Sequence, residues 1–226
     1  WAGGCAYIAG IDEAGRGAWA GPVAAGAVIL PNLPDLRERL ARVRDSKQMT
    51  PRERDYWAGE IRAAACAWAV GFSASREIDQ LGIVPATRLA MERALTGLSI
   101  QPGHLLIDAL NLPGLNIPQT SLVKGDARSL SIAAASVLAK TARDQIMQQI
   151  DRQFPGYGFT RHKGYGTSSH LAALQELGPC AIHRFSFAPV RQVVCGLESA
   201  DTSWSALRTE PESAPGQAQQ PTPAEP

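Results

Sequence analysis

Short apolar runs alternate along this chain with stretches in which apolar positions recur every three or four residues. Residues 7–11 predict a short buried strand, ended by the charged pair Asp12-Glu13 and by Gly15. Residues 23–30, rich in alanine and valine, predict a second strand beside the first. At Thr50-Pro51-Arg52-Glu53, a threonine N-cap, a proline at the first helical position and a glutamate two residues later predict a helix start. That helix should reach about residue 65, with a strand following over 67–72. Leu89, Met91 and Leu95 predict a helix around 85–95, and the apolar run 104–107 a strand that leads into Asp108. The strongest periodicity belongs to Ile132, Ala135, Leu138, Ala142, Ile146 and Ile150, which predict one long helix over 131–153, stopped by Pro155-Gly156. A loop at 164–166 and a short helix over 168–177 follow. Strands alternating with helices indicate the α/β class with a central sheet.

Beyond about residue 197 the periodicity ceases. The last sixteen residues hold five prolines among Ser, Gln and Glu. Such a segment cannot bury enough apolar area to offset its ordering entropy, so the expectation is one folded domain over 1–197 and a disordered acidic tail over 198–226. Charge adds to this division. Residues 1–123 carry 12 basic and 12 acidic side chains, residues 124–191 carry nine basic and four acidic, and the tail carries five acids against Arg208 alone. A basic half beside a neutral one suits a protein that meets a polyanion on one face, though an ordinary solvated surface has the same composition. Cys5, Cys66, Cys180 and Cys195 show no CxxC spacing, which argues against zinc and disulfides and fits reduced thiols in a cytoplasmic protein. No secretory signal is visible, and the longest apolar stretch is broken by Gly21, Pro22 and Gly26, too short to span a bilayer.

Asp12 and Glu13 carry the candidate chemistry. Adjacent carboxylates at the edge of a core repel each other and cost free energy to bury unless a cation offsets them. Hard oxygen ligands at a rigid strand end suit Mg²⁺ or Mn²⁺. A pair of acids at a solvated turn is the commoner arrangement. Context shifts the balance: Gly10-Ile11-Asp12-Glu13-Ala14-Gly15-Arg16-Gly17 surrounds the pair with glycines that let backbone approach a ligand.

Residues 10–17 resemble the signature of ribonuclease HII, and the resemblance continues through Gly21-Pro22-Val23, Asp45-Ser46-Lys47, Asp108, Lys124-Gly125-Asp126 and Ala133-Ala134-Ala135-Ser136. It extends through Ala139-Lys140, Arg143-Asp144, Lys163-Gly164-Tyr165-Gly166-Thr167 and His183-Arg184 with Phe187, covering roughly residues 6–192. The fold implied is ribonuclease H-like: a central mixed sheet flanked by helices, with a helical C-terminal extension. The activity implied is endonucleolytic cleavage of the RNA strand of RNA–DNA hybrids, and of duplex DNA 5′ of embedded ribonucleotides. Two-metal catalysis with Mn²⁺ or Mg²⁺ would leave 5′-phosphate and 3′-hydroxyl ends.

By resemblance, Asp12, Glu13, Asp108 and Asp126 are the catalytic carboxylates, the first three being metal ligands. Asp144 competes for the fourth place, but its i,i+4 spacing from Lys140 reads more simply as an ion pair. The resemblance assigns Gly15, Arg16 and Gly17 to the nucleotides flanking the cut. It assigns Tyr165 to the junction, where a tyrosine supplies both a stacking face and a hydroxyl for the ribose 2′-OH. Lys47, Lys163 and Arg184 read equally as phosphate contacts or as surface charge. The family usually has glycine where this chain has Ala109, a change that removes no ligand. A monomer is expected, and a sliding-clamp contact is left open. A non-catalytic hybrid binder should have lost a carboxylate, and none is missing. The adjacent Asp12-Glu13 pair and Gly-Arg-Gly count against a junction resolvase or type 1 ribonuclease H. Eleven residues ahead of Asp12 leave no room for the N-terminal domain of the sister ribonuclease HIII group.

Overall fold

The computed structural model describes residues 7–44 and 46–198; Cys5, Asp45 and residues 199–226, where the disordered tail was expected, lie outside the described residues. A five-stranded sheet forms the centre, with β1 (Ile8–Ala14), β2 (Val23–Ile29), β3 (Ala67–Ser73), β4 (His104–Asp108) and β5 (Gln119–Leu122) in the order β3-β2-β1-β4-β5. β1 pairs antiparallel with β2, and β2 with β3, whereas β4 lies parallel to β1 and β5 parallel to β4. The sheet is therefore mixed, with the first strand at its centre.

Period-two alternation divides β1 and β2 between two cores. Ala9 and Ile11 of β1, with Val23, Ala25, Ala27 and Ile29 of β2, meet Ala86, Ala90, Met91 and Ala94 of α4 (Ile83–Thr96). On the opposite face, Ala24 and Val28 meet the Ala133–Leu138 stretch of the long helix α6 (Leu130–Gln153). Small residues make that second contact close: a Cβ on Gly10 would lie 2.2 Å from the Ser131 carbonyl carbon, and one on Gly26 would lie 2.3 Å from the Ala135 oxygen. α2 (Pro51–Ala64) opens with both halves of the expected capping box, Glu53 N–H to Thr50 Oγ1 at 3.3 Å and Thr50 N–H to Glu53 Oε2 at 2.8 Å.

The remaining helices are α1 (Leu36–Arg39), α3 (Ser75–Leu81), α5 (Gly125–Arg128), α7 (Phe159–His162), α8 (Ser168–Leu177) and α9 (Ala188–Glu198). Of these only α8 is anticipated by periodicity. α1, α5 and α7 are four-residue turns, too short to show a period. β1 also corrects an expectation: it does not end before Asp12-Glu13 but carries both, because Asp12 pairs with Gly26 and Glu13 with Ala25 across the ladder to β2. Among the described residues no helix is long and apolar enough to cross a membrane.

Candidate active site

Asp12 continues the row of β1 that faces α6, and only 6% of it is exposed. Its Oδ1 accepts the Glu13 N–H at 2.7 Å. Burial, and after it the charge of Glu13, pushes its carboxyl up to about 8, while the Glu13 amide and the Ser136 hydroxyl on α6 pull the other way. Burial likewise pushes Glu13 upward, opposed chiefly by Arg16, whose Nη1 lies 3.1 Å from Glu13 Oε1. The other oxygen, Glu13 Oε2, is buried with no hydrogen-bond partner. An orphaned carboxylate oxygen beside a second buried acid leaves the cluster short of positive charge.

β4 delivers Asp108 beside β1, and its charge raises both Asp12 and Glu13. Asp108 Oδ1 also accepts the Gly125 N–H at 2.8 Å, which ties the strand end to the start of α5. Asp126 is the next residue, half-buried, with Oδ1 on the Ala127 N–H at 2.9 Å. The fold thus brings Asp12, Glu13 and Asp108 into one another's field, and Asp126 follows directly on the Gly125 amide that Asp108 accepts. Among the described residues no three acidic, histidine or cysteine side chains are closed around one ion. The donor set is nonetheless all hard oxygen and partly unsatisfied, which fits Mg²⁺ or Mn²⁺ completed by water and phosphate.

Ala109 sits at φ 52°, in the left-handed region, with its N–H on the Leu122 carbonyl at 3.2 Å. This explains why glycine is usual here: the chain must turn left-handed directly after Asp108, and a Cβ opposes that turn. Ala109→Gly is expected to stabilise the fold by about 1 kcal/mol in denaturant titration, with cleavage retained. An unchanged or lower midpoint would show that the turn carries no strain.

Gly15 lies at φ 94°, where a Cβ would strike Arg143 Nε at 2.0 Å, so its glycine is demanded by the fold. Gly17 differs. It is exposed, and a Cβ there would meet nothing within 4 Å, so its backbone is open to an approaching ligand. Lys47 is exposed on a 3-10 turn (Ser46–Gln48) whose Ser46 Oγ lies 2.9 Å from Ser136 Oγ, and its charge lowers Glu13.

Arg184, one reading of which was phosphate contact, is fully buried. Its Nη1 donates to the Arg16 carbonyl at 2.8 Å, and Nε and Nη2 donate to the Gly21 carbonyl. Arg143, to which the sequence assigned no role, is also fully buried and donates to the carbonyls of Pro22, Ala20 and Lys163. Arg143 thus fastens the loop after β1 to the loop that carries Tyr165, and Arg184 fastens the same post-β1 loop to the segment before α9. Desolvation pushes both down, Arg184 to about 9.

Tyr165 is half-buried, its ring centroid 5.4 Å from Lys140 Nζ and 5.3 Å from Arg143 Cζ. Beside it opens a cleft of about 360 Å³ lined by Arg54, Lys140, Thr141, Arg161 and Lys163 among others. Asp144 lies in this cleft, with Oδ1 2.6 Å from Lys140 Nζ and Oδ2 3.2 Å from Arg54 Nη2. The pair with Lys140 within α6 is the one the spacing predicted, a second pair with Arg54 joins α6 to α2, and all three side chains are largely buried. Asp144→Asn is expected to lower stability by roughly 2 kcal/mol, the scale of a charged hydrogen bond, with turnover kept within a few-fold. A stable but inactive Asp144→Asn would transfer the fourth catalytic position to it.

The ribonuclease HII family model matches residues 9–190. A relative from Anaeromyxobacter sp. named ribonuclease HII is 52% identical over 194 residues, covering 86% of this chain and 60% of its own length. One of the same name from Moorella thermoacetica is 55% identical over 184 residues, 81% of this chain and 87% of its own. Among solved structures, the ribonuclease H2 of Pyrococcus horikoshii superposes with a TM-score of 0.73 at 24% identity, covering 85% of this chain and 99% of that one. Bst-RNase HIII in complex with Mn²⁺ does so at 0.66 and 18% identity, covering 85% and 70%. The last two likenesses bear on the fold; the first three findings bear on the family, and by them this chain belongs to the ribonuclease HII family.

Proposed function

We propose that this chain, by its family a ribonuclease H acting on RNA–DNA hybrids, also cuts duplex DNA on the 5′ side of an embedded ribonucleotide, with divalent-metal assistance. The products in this reading are a 3′-hydroxyl and a 5′-phosphate, and the catalytic unit is residues 1–197. The observation that carries the proposal is the charge-deficient cluster of Asp12, Glu13 and Asp108, with its orphaned Glu13 Oε2, beside an open Gly17 backbone. Bound Mg²⁺ or Mn²⁺ would polarise the scissile phosphate and lower the pKa of the attacking water. Mn²⁺ is the ion named in the Bst-RNase HIII complex. Asp12, Glu13 and Asp108 would hold the metal, with Asp126 as the fourth catalytic carboxylate.

The chain's own residues divide the remaining work. The Ser136 hydroxyl and the Glu13 amide fix Asp12, and Gly125 fixes Asp108. Arg16 holds Glu13 and exposes the rest of its guanidinium beside the open Gly17 backbone, where a phosphodiester can approach. Lys47 adds positive charge on the solvent side. Tyr165 offers its ring to a base or sugar and its hydroxyl to the 2′-OH, the group that separates RNA from DNA.

The direct test is a DNA duplex holding one ribonucleotide, incubated with chelator, with Mg²⁺ or with Mn²⁺. A single nick 5′ of the ribonucleotide, dependent on metal, is expected. Cleavage on the 3′ side, cleavage in chelator, or no cleavage beside an all-DNA control would overturn the reading.

A further inference from the structure

The carbonyl of Tyr165 accepts from the Thr167 N–H at 2.9 Å and also lies 3.0 Å from His170 Nδ1. His170 is fully buried and belongs to a stack of three imidazoles. Its ring lies 4.3 Å from that of His162 at 14°, and 5.3 Å from that of His183. The hydrogen bonds through this stack run in one direction. The Cys180 N–H donates to His183 Nδ1 at 3.0 Å, so that nitrogen accepts and the proton of a neutral His183 resides on Nε2. His183 Nε2 is 3.1 Å from His170 Nε2, which must therefore accept. The His170 proton is then on Nδ1, aimed at the Tyr165 carbonyl. The 3.3 Å approach of His183 Nδ1 to the Cys180 carbonyl is not a hydrogen bond in this tautomer. His162 is engaged separately, taking the Gly164 N–H on Nδ1 at 3.2 Å and lying 2.8 Å from the Tyr157 carbonyl through Nε2.

We propose that His170 and His183 form a positioning relay for Tyr165, in which one tautomer chain from the Cys180 amide to the Tyr165 carbonyl sets where the tyrosine stands. The proposal rests on the reading of Tyr165 as the residue that meets the ribonucleotide. An apolar pair would fill this space at less desolvation cost, whereas buried imidazoles are retained here with their polar atoms aimed at a single loop carbonyl. The relay stays neutral because burial pushes His170 down to about 4 and His183 to about 3. Around it stand the Cys180 thiol and Tyr157 hydroxyl, both pushed up by burial, and His162. The nearby guanidiniums of Arg143 and Arg184 are spent on the Lys163, Ala20, Pro22, Gly21 and Arg16 carbonyls.

The test compares His170→Phe, which keeps a ring but no donor, with His170→Asn, which keeps a donor near the Nδ1 position. Cleavage of the single-ribonucleotide duplex is measured in wild-type and Tyr165→Ala backgrounds. His170→Phe is expected to lower kcat/KM about tenfold, the scale of one hydrogen bond, and His170→Asn to restore most of it. In the Tyr165→Ala background the same change should cost less than about twofold, because the residue acts through Tyr165. A merely structural histidine would cost as much in either background and gain nothing from asparagine. His170→Phe at wild-type activity beside an impaired Tyr165→Ala overturns the relay alone; Tyr165→Ala at wild-type activity overturns the junction reading, and the relay's role in cleavage with it. Should His170→Phe fail to fold, imidazole ¹⁵N shifts of the unaltered protein decide. Protons on His183 Nε2 and His170 Nδ1 from pH 5 to 8 are expected, and the opposite tautomers would end the proposal.

Discussion

Asp12→Asn is expected to abolish cleavage and yet to raise the melting temperature of the metal-free protein. Asp12 is buried beside Glu13 and within the field of Asp108, and with its carboxyl pushed up to about 8 the metal-free fold must hold a proton there at neutral pH that the unfolded chain gives up, which costs stability. Asparagine has nearly the same shape and keeps an oxygen for the Glu13 amide, but is neutral without taking up a proton. The relief should be on the order of a few kcal/mol at most. The same change removes a metal ligand, and losing several kcal/mol of transition-state stabilisation lowers turnover by about 10³-fold or more. Metal supplies the control. Mg²⁺ or Mn²⁺ binds the folded state selectively, so it should raise the melting temperature of the unaltered protein and do so far less for Asp12→Asn. Thermal denaturation with and without metal, beside single-turnover cleavage, reads both effects. An Asp12→Asn protein that is destabilised without metal, or that cuts within tenfold of the unaltered one, would place the metal elsewhere.

What could be read from the sequence and what could not separate along physical lines. α2 was legible because its capping box is local, four residues whose hydrogen bonds depend on nothing else in the chain. α6 was legible because apolar positions recur every three or four residues along it, although Ser131–Ala139 is buried all round and burial narrows only beyond it. β5 was not, since Gln119, Thr120 and Ser121 make a polar edge strand held by backbone pairing to β4, which leaves no mark in side-chain pattern. The extension of β1 through Asp12-Glu13 was hidden for a related reason: two acids look like a strand end until β2 is seen to pair with them. Asp12, Glu13, Asp108 and Tyr165 could be named by resemblance. The buried clamps of Arg143 and Arg184 could not, because their partners are main-chain carbonyls, and no residue type announces a carbonyl. The left-handed turn at Ala109 was visible only as a departure from the usual glycine, and its cause is the backbone angle.

Junction selectivity should fall with Tyr165→Ala, by tenfold or more on a duplex with one ribonucleotide. Base–aromatic stacking is worth about 1–3 kcal/mol, and alanine removes the hydroxyl as well. Tyr165→Phe keeps the ring and its position against Lys140 and Arg143, so it isolates the share of the hydroxyl. That share is the scale of one hydrogen bond to the 2′-OH, a loss of about three- to tenfold. Neither variant should disturb the carboxylates, since the tyrosine's ring meets the cations of α6 and its backbone bonds run to His162, Thr167 and His170. The melting-temperature rise on adding Mn²⁺ should therefore be the same in all three proteins, which separates a lost contact to the nucleic acid from a lost metal site. A phenylalanine variant as impaired as the alanine one would make the hydroxyl the whole of the contribution and remove stacking from the account. Wild-type rates for Tyr165→Ala with metal saturating would leave the carboxylate cluster standing and take the choice of junction away from this loop.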